Sequence, residues 1–290
     1  MAATAPALTR TVAGTRSGTT LGIALGGGGA RGLAHVEILA ALDELGVKPV
    51  LIAGTSMGAV IGALYAAGHS AAAIKSVIQD ALAQRVGRLG FVRKELLEWI
   101  HLVDPGIPRD VVLTGSEFLA FIHQRIEAKT FAELRTPLLV VAADIRRREQ
   151  VTLHAGDLGT ALAASIAFPG LYSPVVLGDR LLVDGGVVDP VPYDLLLEHC
   201  DIVVAVDVAG RKTFAPDKAL SFFDVVAESF QTMENSILRE QMKHRAPDIL
   251  LKPDLVDIRL LDFARADEIY RQARPAREEL KKSLARLLLG

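Results

Sequence analysis

Two stretches near the start of the chain each run from apolar residues straight into glycines and then into a helix-forming segment. They are LGIALGGGGARGLAHVEIL from Leu21 and PVLIAGTSMGAVIGALYAAG from Pro49. Each reads as a strand that turns into a helix through a loop of exposed backbone N–H groups, with helices expected near Arg31–Leu45 and Met57–Ala67. Two further buried strands are expected in TPLLVVAADI and DIVVAVDV, and hairpin or edge strands in EQVTLHAG and RLLVDGG. Covering helices are expected near Ser221–Arg245 and Asp267–Leu289. This alternation predicts an α/β fold: a largely parallel sheet with helices on both faces.

Half of the 290 residues are apolar, enough for a sizeable core, and no repeat or linker divides the chain. One domain is expected over residues 20–290, preceded by a flexible tail over 1–19 that lacks the apolar core of a secretory signal. A net charge of −2 argues against nucleic acid as a partner. The single cysteine, Cys200, reads as a buried, inert thiol in a reducing, cytoplasmic compartment. The longest apolar run, ALAASIAFPGLYSPVVL, is broken by Pro169, Gly170 and Pro174, so membrane contact is expected to be peripheral. The segment 85–131 stands apart and leaves two readings open. It is a lid or membrane-facing helical segment, or its Phe91, Leu96, Trp99 and Ile100 pack on the core.

GTSMG, Gly54–Gly58, fits the G-x-S-x-G elbow, in which glycines relieve crowding around a strained serine between strand and helix. The small residues Ala59, Gly62, Ala63 and Ala66 would let that helix lie close to the sheet. Ser56 is therefore the candidate nucleophile, against the plainer reading of an ordinary helix N-cap. GGGGARG, Gly26–Gly32, admits a dinucleotide loop, a P-loop or an oxyanion hole. The first wants an acid after the next strand and the second a Lys followed by Ser or Thr, and neither is present. The third needs only unhindered N–H groups aimed at a transient negative oxygen. No later histidine, from His69, His101, His123, His154, His199 to His244, stands in a strong loop context for a base. Asp184, in LLVDGGVVDPVP, follows an apolar strand, although Asp before Gly is also an ordinary turn. The run Arg146–Arg148 reads as a solvated turn, with lipid phosphate as the other reading. No residues have metal-ligand spacing, and no cofactor is expected.

In this order and spacing GGGGARG, GTSMG and DGG, with SIAFPGLYSPV between the last two, resemble the patatin-like phospholipase family, in particular its bacterial branch related to the neuropathy target esterase domain. The resemblance implies a three-layer α/β/α fold and a Ser–Asp dyad without histidine. By motif position Ser56 matches the nucleophile and Asp184 its partner, with Gly54 and Gly58 in the elbow. Gly27, Gly28, Gly29 and Arg31 fall on the oxyanion loop, where the N–H of Met57 is a further candidate donor. The aspartate motif ends in glycine where patatins proper have alanine. The implied activity is hydrolysis of a lipid ester or phospholipid through an acyl-serine. An acyltransferase on the same elbow and a silent lipid-binding regulator remain as alternatives.

Overall fold

The computed structural model describes residues 18–85, 125–213 and 222–289. Most of the expected tail, and residues 86–124 of the expected lid or membrane-facing segment, lie outside them. The strands are β1 (Leu21–Leu25), β2 (Leu51–Thr55), β3 (Leu138–Asp144), β4 (Glu149–Leu153), β5 (Val175–Leu177), β6 (Arg180–Asp184), β7 (Ile202–Val206) and β8 (Ile249–Leu251). The helices are α1 (His35–Leu45), α2 (Met57–Ala66), α3 (Ala71–Arg85), α4 (Leu158–Ser165), α5 (Phe222–His244) and α6 (Ala266–Leu289).

Strands β1, β2, β3 and β7 are unbroken apolar runs because both of their faces are covered, and every residue in them is buried. Alternate residues face opposite layers. Ile23, Ile52, Val140 and Val204 join the larger core under α1, α2, α3 and α6. Ala24, Ala53, Val203 and Ala205 face a thinner layer made by Tyr193, Leu196 and Leu238 of α5. The alanines let that layer approach closely. The result is three layers, α/β/α.

The sheet runs β5-β6-β3-β2-β1-β7-β8, with β4 also on β3. It is parallel from β3 to β8 and antiparallel where β4, β5 and β6 join, so the expected parallel sheet carries a mixed edge. The cause is connection length: a turn at residues 145–148 joins β3 to β4, and Gly178–Asp179 joins β5 to β6. Such short links close only antiparallel pairs.

One detail of this edge places the site. Strand β4 occupies one side of β3 over Val140–Asp144. Strands β2 and β6 must therefore share the other side, β2 pairing as far as Thr55↔Val141 and β6 beginning at Asp184↔Ala142. The residue after Thr55 and the residue at the end of β6 thus meet end to end.

The helix expected from Arg31 begins instead as a 3-10 turn, Gly29–Ala34, and becomes α-helical at His35. The chain there is anchored by the Ala30 N–H on the Leu260 carbonyl and the Arg31 N–H on the Gly28 carbonyl, a three-residue repeat tighter than an α-helix. Among the described residues no helix is long and apolar enough to cross a membrane.

Helices α1, α3 and α6 are also joined by charge. Glu37, buried in α1, takes Lys75 Nζ at 3.2 Å from α3 and Arg277 Nη1 at 2.9 Å from α6. Glu44, partly exposed, shares Arg277 and takes Lys281 at 3.0 Å. Removing a buried partner strands the opposite charges, whereas water replaces an exposed one. Glu37→Ala is expected to lower unfolding free energy by about 3 kcal/mol and Glu44→Ala by less than about 1 kcal/mol. Urea denaturation checks this, and equal losses would contradict it.

Candidate active site

Ser56 lies between β2 and α2 with φ 54° and ψ −124°, left-handed territory that costs a non-glycine residue about 1–3 kcal/mol. The flanking glycines make the turn sterically open. A Cβ at Gly54 would sit 2.6 Å from Ala59 Cα, and one at Gly58 would strike the Leu25 carbonyl oxygen. The Ser56 N–H donates to Ser165 Oγ at 2.8 Å, and the Ser165 hydroxyl donates to the Val141 carbonyl at 2.6 Å. The elbow is thereby pinned to α4 and β3. Although Ser56 occupies the N-cap position, its hydroxyl does not cap α2. It donates to Asp184 Oδ2 at 2.6 Å.

Asp184 is buried, and its second oxygen accepts the Gly186 N–H at 2.8 Å. Burial pushes its carboxyl up to about 6, against the opposing pull of its bonds from Ser56 and Gly186. It is anionic at neutral pH yet far more basic than an ordinary aspartate.

The glycine loop faces the same crevice, since a Cβ at Gly27 would lie 3.3 Å from Ser56 Cβ. Its donors are unequal. The Gly27 N–H is spent on the Pro190 carbonyl at 3.0 Å, so Gly27 belongs to the loop without offering a free donor. The N–H groups of Gly28 and Gly29 donate to no protein acceptor among the described residues. Gly29 has φ 55°, and a Cβ there would strike the Leu260 carbonyl, so only glycine fits.

Arg31 acts behind this loop. Its backbone N–H (3.2 Å) and its Nε (3.3 Å) both donate to the Gly28 carbonyl. Because a trans peptide points its C=O and N–H in opposite directions, holding that carbonyl aims the Gly29 N–H the other way. The guanidinium is buried and reaches Gln231 Oε1 at 2.5 Å, with no carboxylate within ion-pair distance among the described residues. His35 holds the loop two peptides earlier: its Nε2–H donates to the Gly26 carbonyl at 2.8 Å. Burial lowers its pKa to about 4, so the ring is neutral. The Met57 side chain is spent on packing, since a Cβ at Gly32 would strike it.

The segment from Asp184 to Pro190 ties these parts together. The Asp189 carbonyl accepts Thr55 Oγ1–H at 2.8 Å, and its buried carboxyl accepts Gln241 Nε2 at 3.0 Å and Gln150 Nε2 at 3.2 Å. Burial and the neighbouring Asp194 raise that carboxyl to about 7. Ser165, His35, Asp189 and Glu234 of α5 were not singled out by the sequence. Ser165 and Asp189 nonetheless lie within SIAFPGLYSPV and LLVDGGVVDPVP, and His35 lies directly behind the glycine loop, whereas Glu234 carried no local signal.

None of the described histidines, His69, His154, His199 and His244 included, bonds Ser56, and His101 and His123 lie outside the described residues. The Arg146–Arg148 run is a hairpin turn tied inward: Arg146 Nη1 donates to the Asp179 carbonyl at 2.9 Å, and Arg147 pairs with Asp144 at 3.0 Å and with Asp179. Cys200 is half-buried, and burial beside Asp201 pushes its thiol up to about 11, leaving it unreactive. Among the described residues no His, Cys, Asp and Glu side chains gather as a metal site.

A serine on a strand–helix elbow, bonded to an aspartate across a three-layer α/β sheet, defines the class. Comparison with known proteins then gives the family: a model described as patatin-like phospholipase matches residues 23–197, and the chain belongs to that family. A Mycobacterium tuberculosis protein, described as an uncharacterized NTE family protein, is 35% identical over 200 residues, covering 68% of this chain and 51% of that protein. Human patatin-like phospholipase domain-containing protein 6 is 33% identical over 198 residues, covering 67% of this chain and 14% of the relative. The chain thus spans about half the length of the mycobacterial relatives it matches. Among solved structures, VipD from Legionella pneumophila superposes with a TM-score of 0.51 at 14% identity, over 91% of this chain and 67% of that one. Human GIVD cytosolic phospholipase A2 gives 0.50 at 12%, over 93% and 59%. At such identities these two likenesses concern the fold alone.

The Ser165 hydroxyl carries one bond that holds the strained elbow and one that holds itself. Ser165→Ala is expected to cost about 1–2 kcal/mol of stability and to lower kcat more than it raises KM. Thermal melts and ester kinetics check this, and unchanged kcat in a destabilised protein would contradict a role in holding the elbow.

Proposed function

We propose that the protein is a serine lipid acyl hydrolase that cleaves carboxylic esters of lipids through an acyl-serine on Ser56. The observation that carries this reading is the 2.6 Å bond from Ser56 Oγ to Asp184 Oδ2, beside a glycine loop with two N–H groups uncommitted among the described residues. Ser56 Oγ attacks the ester carbonyl as its proton passes to Asp184. The former carbonyl oxygen takes the negative charge and is received by the N–H groups of Gly28 and Gly29, with the Met57 N–H at the start of α2 as a third candidate. Collapse breaks the ester C–O bond, and the alcohol leaves with the proton from Asp184. Water repeats the sequence in reverse roles and frees the fatty acid.

The substrate class is supported by family membership and by the names of relatives such as the lysophospholipase NTE1 of Kluyveromyces lactis, 29% identical over 282 residues, covering 89% of this chain and 19% of that protein. A cytoplasmic setting fits a chain whose one cysteine serves no disulfide, and long-chain esters would be met by peripheral contact with a lipid surface.

Fatty-acid release from phospholipid and lysophospholipid micelles tests the proposal. Ser56→Ala is expected to abolish it, and persistent release would end the proposal. The acid limb of kcat/KM is expected near pH 6, because Asp184 must lose its proton to act as base.

The same carboxyl has a cost for folding. Its native pKa lies above its unfolded value, so the native state binds the proton more tightly, and stability is lost as pH rises from the ordinary carboxylate range through about 6. Asp184→Asn removes that loss. At pH 8 the variant is expected to be inactive but more stable than wild type by on the order of 2 kcal/mol. Calorimetry at pH 4 and pH 8 reads the difference, and a variant less stable at both would contradict it.

A further inference from the structure

Glu234 stands on α5 and extends toward the turn that follows β6. A Cβ at Gly186 would strike Glu234 Oε1 and would lie 3.2 Å from Asp184 Oδ1, so the two carboxyls border the same point beside Gly186. Asp184 presents its other oxygen to Ser56, which puts Glu234 behind the base and away from the nucleophile. Among the described residues the Glu234 carboxyl has no hydrogen bond and no ion pair. It is half-buried. The charged groups facing it are Asp184 from the end of β6, Arg31 from the turn after β1 and Asp207 from the end of β7. On its own helix Glu228 faces Arg31 and is tied to Lys212 at 3.4 Å.

We propose that Glu234 is a positioning residue for charge: when ionised it drives negative charge off Asp184 toward the ester oxygen, giving the dyad a second, faster form at alkaline pH. The inference rests on the reading of Ser56 and Asp184 as the reacting pair.

Charge moves in one direction during attack. Before it, the unit negative charge is on Asp184. After it, the proton of Ser56 is on Asp184 and the charge is on the former carbonyl oxygen at the glycine loop. A second anion beside Asp184 repels the charge at its starting point more than at its destination, so it favours the step. Burial first, and then Asp184, push the Glu234 carboxyl up to about 8, while Arg31 pulls it down. Asp184 ionises near 6, when Glu234 is still neutral. Between the two values the pair holds one proton, on Glu234, and above them none. Two carboxylates coupled by about one pKa unit would make the upper form faster by roughly three- to tenfold.

The test is the second-order rate of inactivation by an alkyl fluorophosphonate from pH 5 to pH 10, corrected for probe hydrolysis, with circular dichroism at each pH. Wild type, Glu234→Gln and Glu234→Asp are compared. The expected result is two rising steps in wild type, near pH 6 and near pH 8, with the upper one absent in Glu234→Gln and retained in Glu234→Asp. A folded wild-type protein with one step overturns the inference without recourse to any variant, and so does an upper step that survives in Glu234→Gln. Failure of the probe to modify Ser56 at any pH would remove the hydrolase reading itself, and this inference with it.

Discussion

The site depends on a division of one strand edge. Because β4 fills one side of β3, β2 and β6 have to share the other, and the handover falls between Val141 and Ala142. The chain leaving β2 must turn away at Ser56, and β6 must end at Asp184. The 2.6 Å contact between them follows from sheet register rather than from any local affinity. Ser165 bonds both the elbow and the Val141 carbonyl, so the serine is held to the point where the two strands meet. A one-residue slip in either pairing would send the side chains to opposite faces and dissolve the pair.

Around that junction the protein carries unfavourable terms that a plain core would avoid. Ser56 is strained, Asp184 and Asp189 are buried carboxyls, and Arg31 is a buried cation without an ion pair among the described residues. These costs are met by the rest of the fold, where the apolar residues of β1, β2, β3 and β7 are sealed on both faces. The return is directional control. Two donors fix the Gly28 carbonyl, a neutral His35 and the Pro190 carbonyl fix the Gly26–Gly27 peptide, and the Gly28 and Gly29 N–H groups have no protein acceptor among the described residues. Donors oriented in advance need no reorganisation when charge appears.

What the sequence disclosed was local. Leu51–Thr55 followed by GTSMG and small residues spells a strand, a strained turn and a close-packed helix in adjacent positions, so Ser56, Gly54 and Gly58 could be read from spacing alone. Asp184 stood out less, because an apolar strand running into Asp-Gly-Gly also spells an ordinary turn, and its pairing with Ser56 was implied only by the family resemblance. The three-layer arrangement followed from alternating strands and helices. Long-range placement was not legible. Ser165 and Glu234 come from helices remote in sequence, and Asp189 is bonded by Gln150 and Gln241, neither of which any motif marks. The fate of Gly27 depended on Pro190, far along the chain, whose carbonyl takes its N–H. The antiparallel edge was legible in part, since EQVTLHAG and RLLVDGG read as hairpin or edge strands; the short strand Val175–Leu177 and the pairing of both β4 and β6 with β3 were not.

The central claim is that Ser56, activated by Asp184, forms the covalent acyl intermediate. Acid quenching during turnover of a p-nitrophenyl alkanoate, followed by peptide mapping by mass spectrometry, tests it directly. The account requires the acyl mass on the peptide at Ser56 and its loss in Asp184→Asn. An acyl group on another residue, or turnover with no acyl adduct on Ser56, would contradict it.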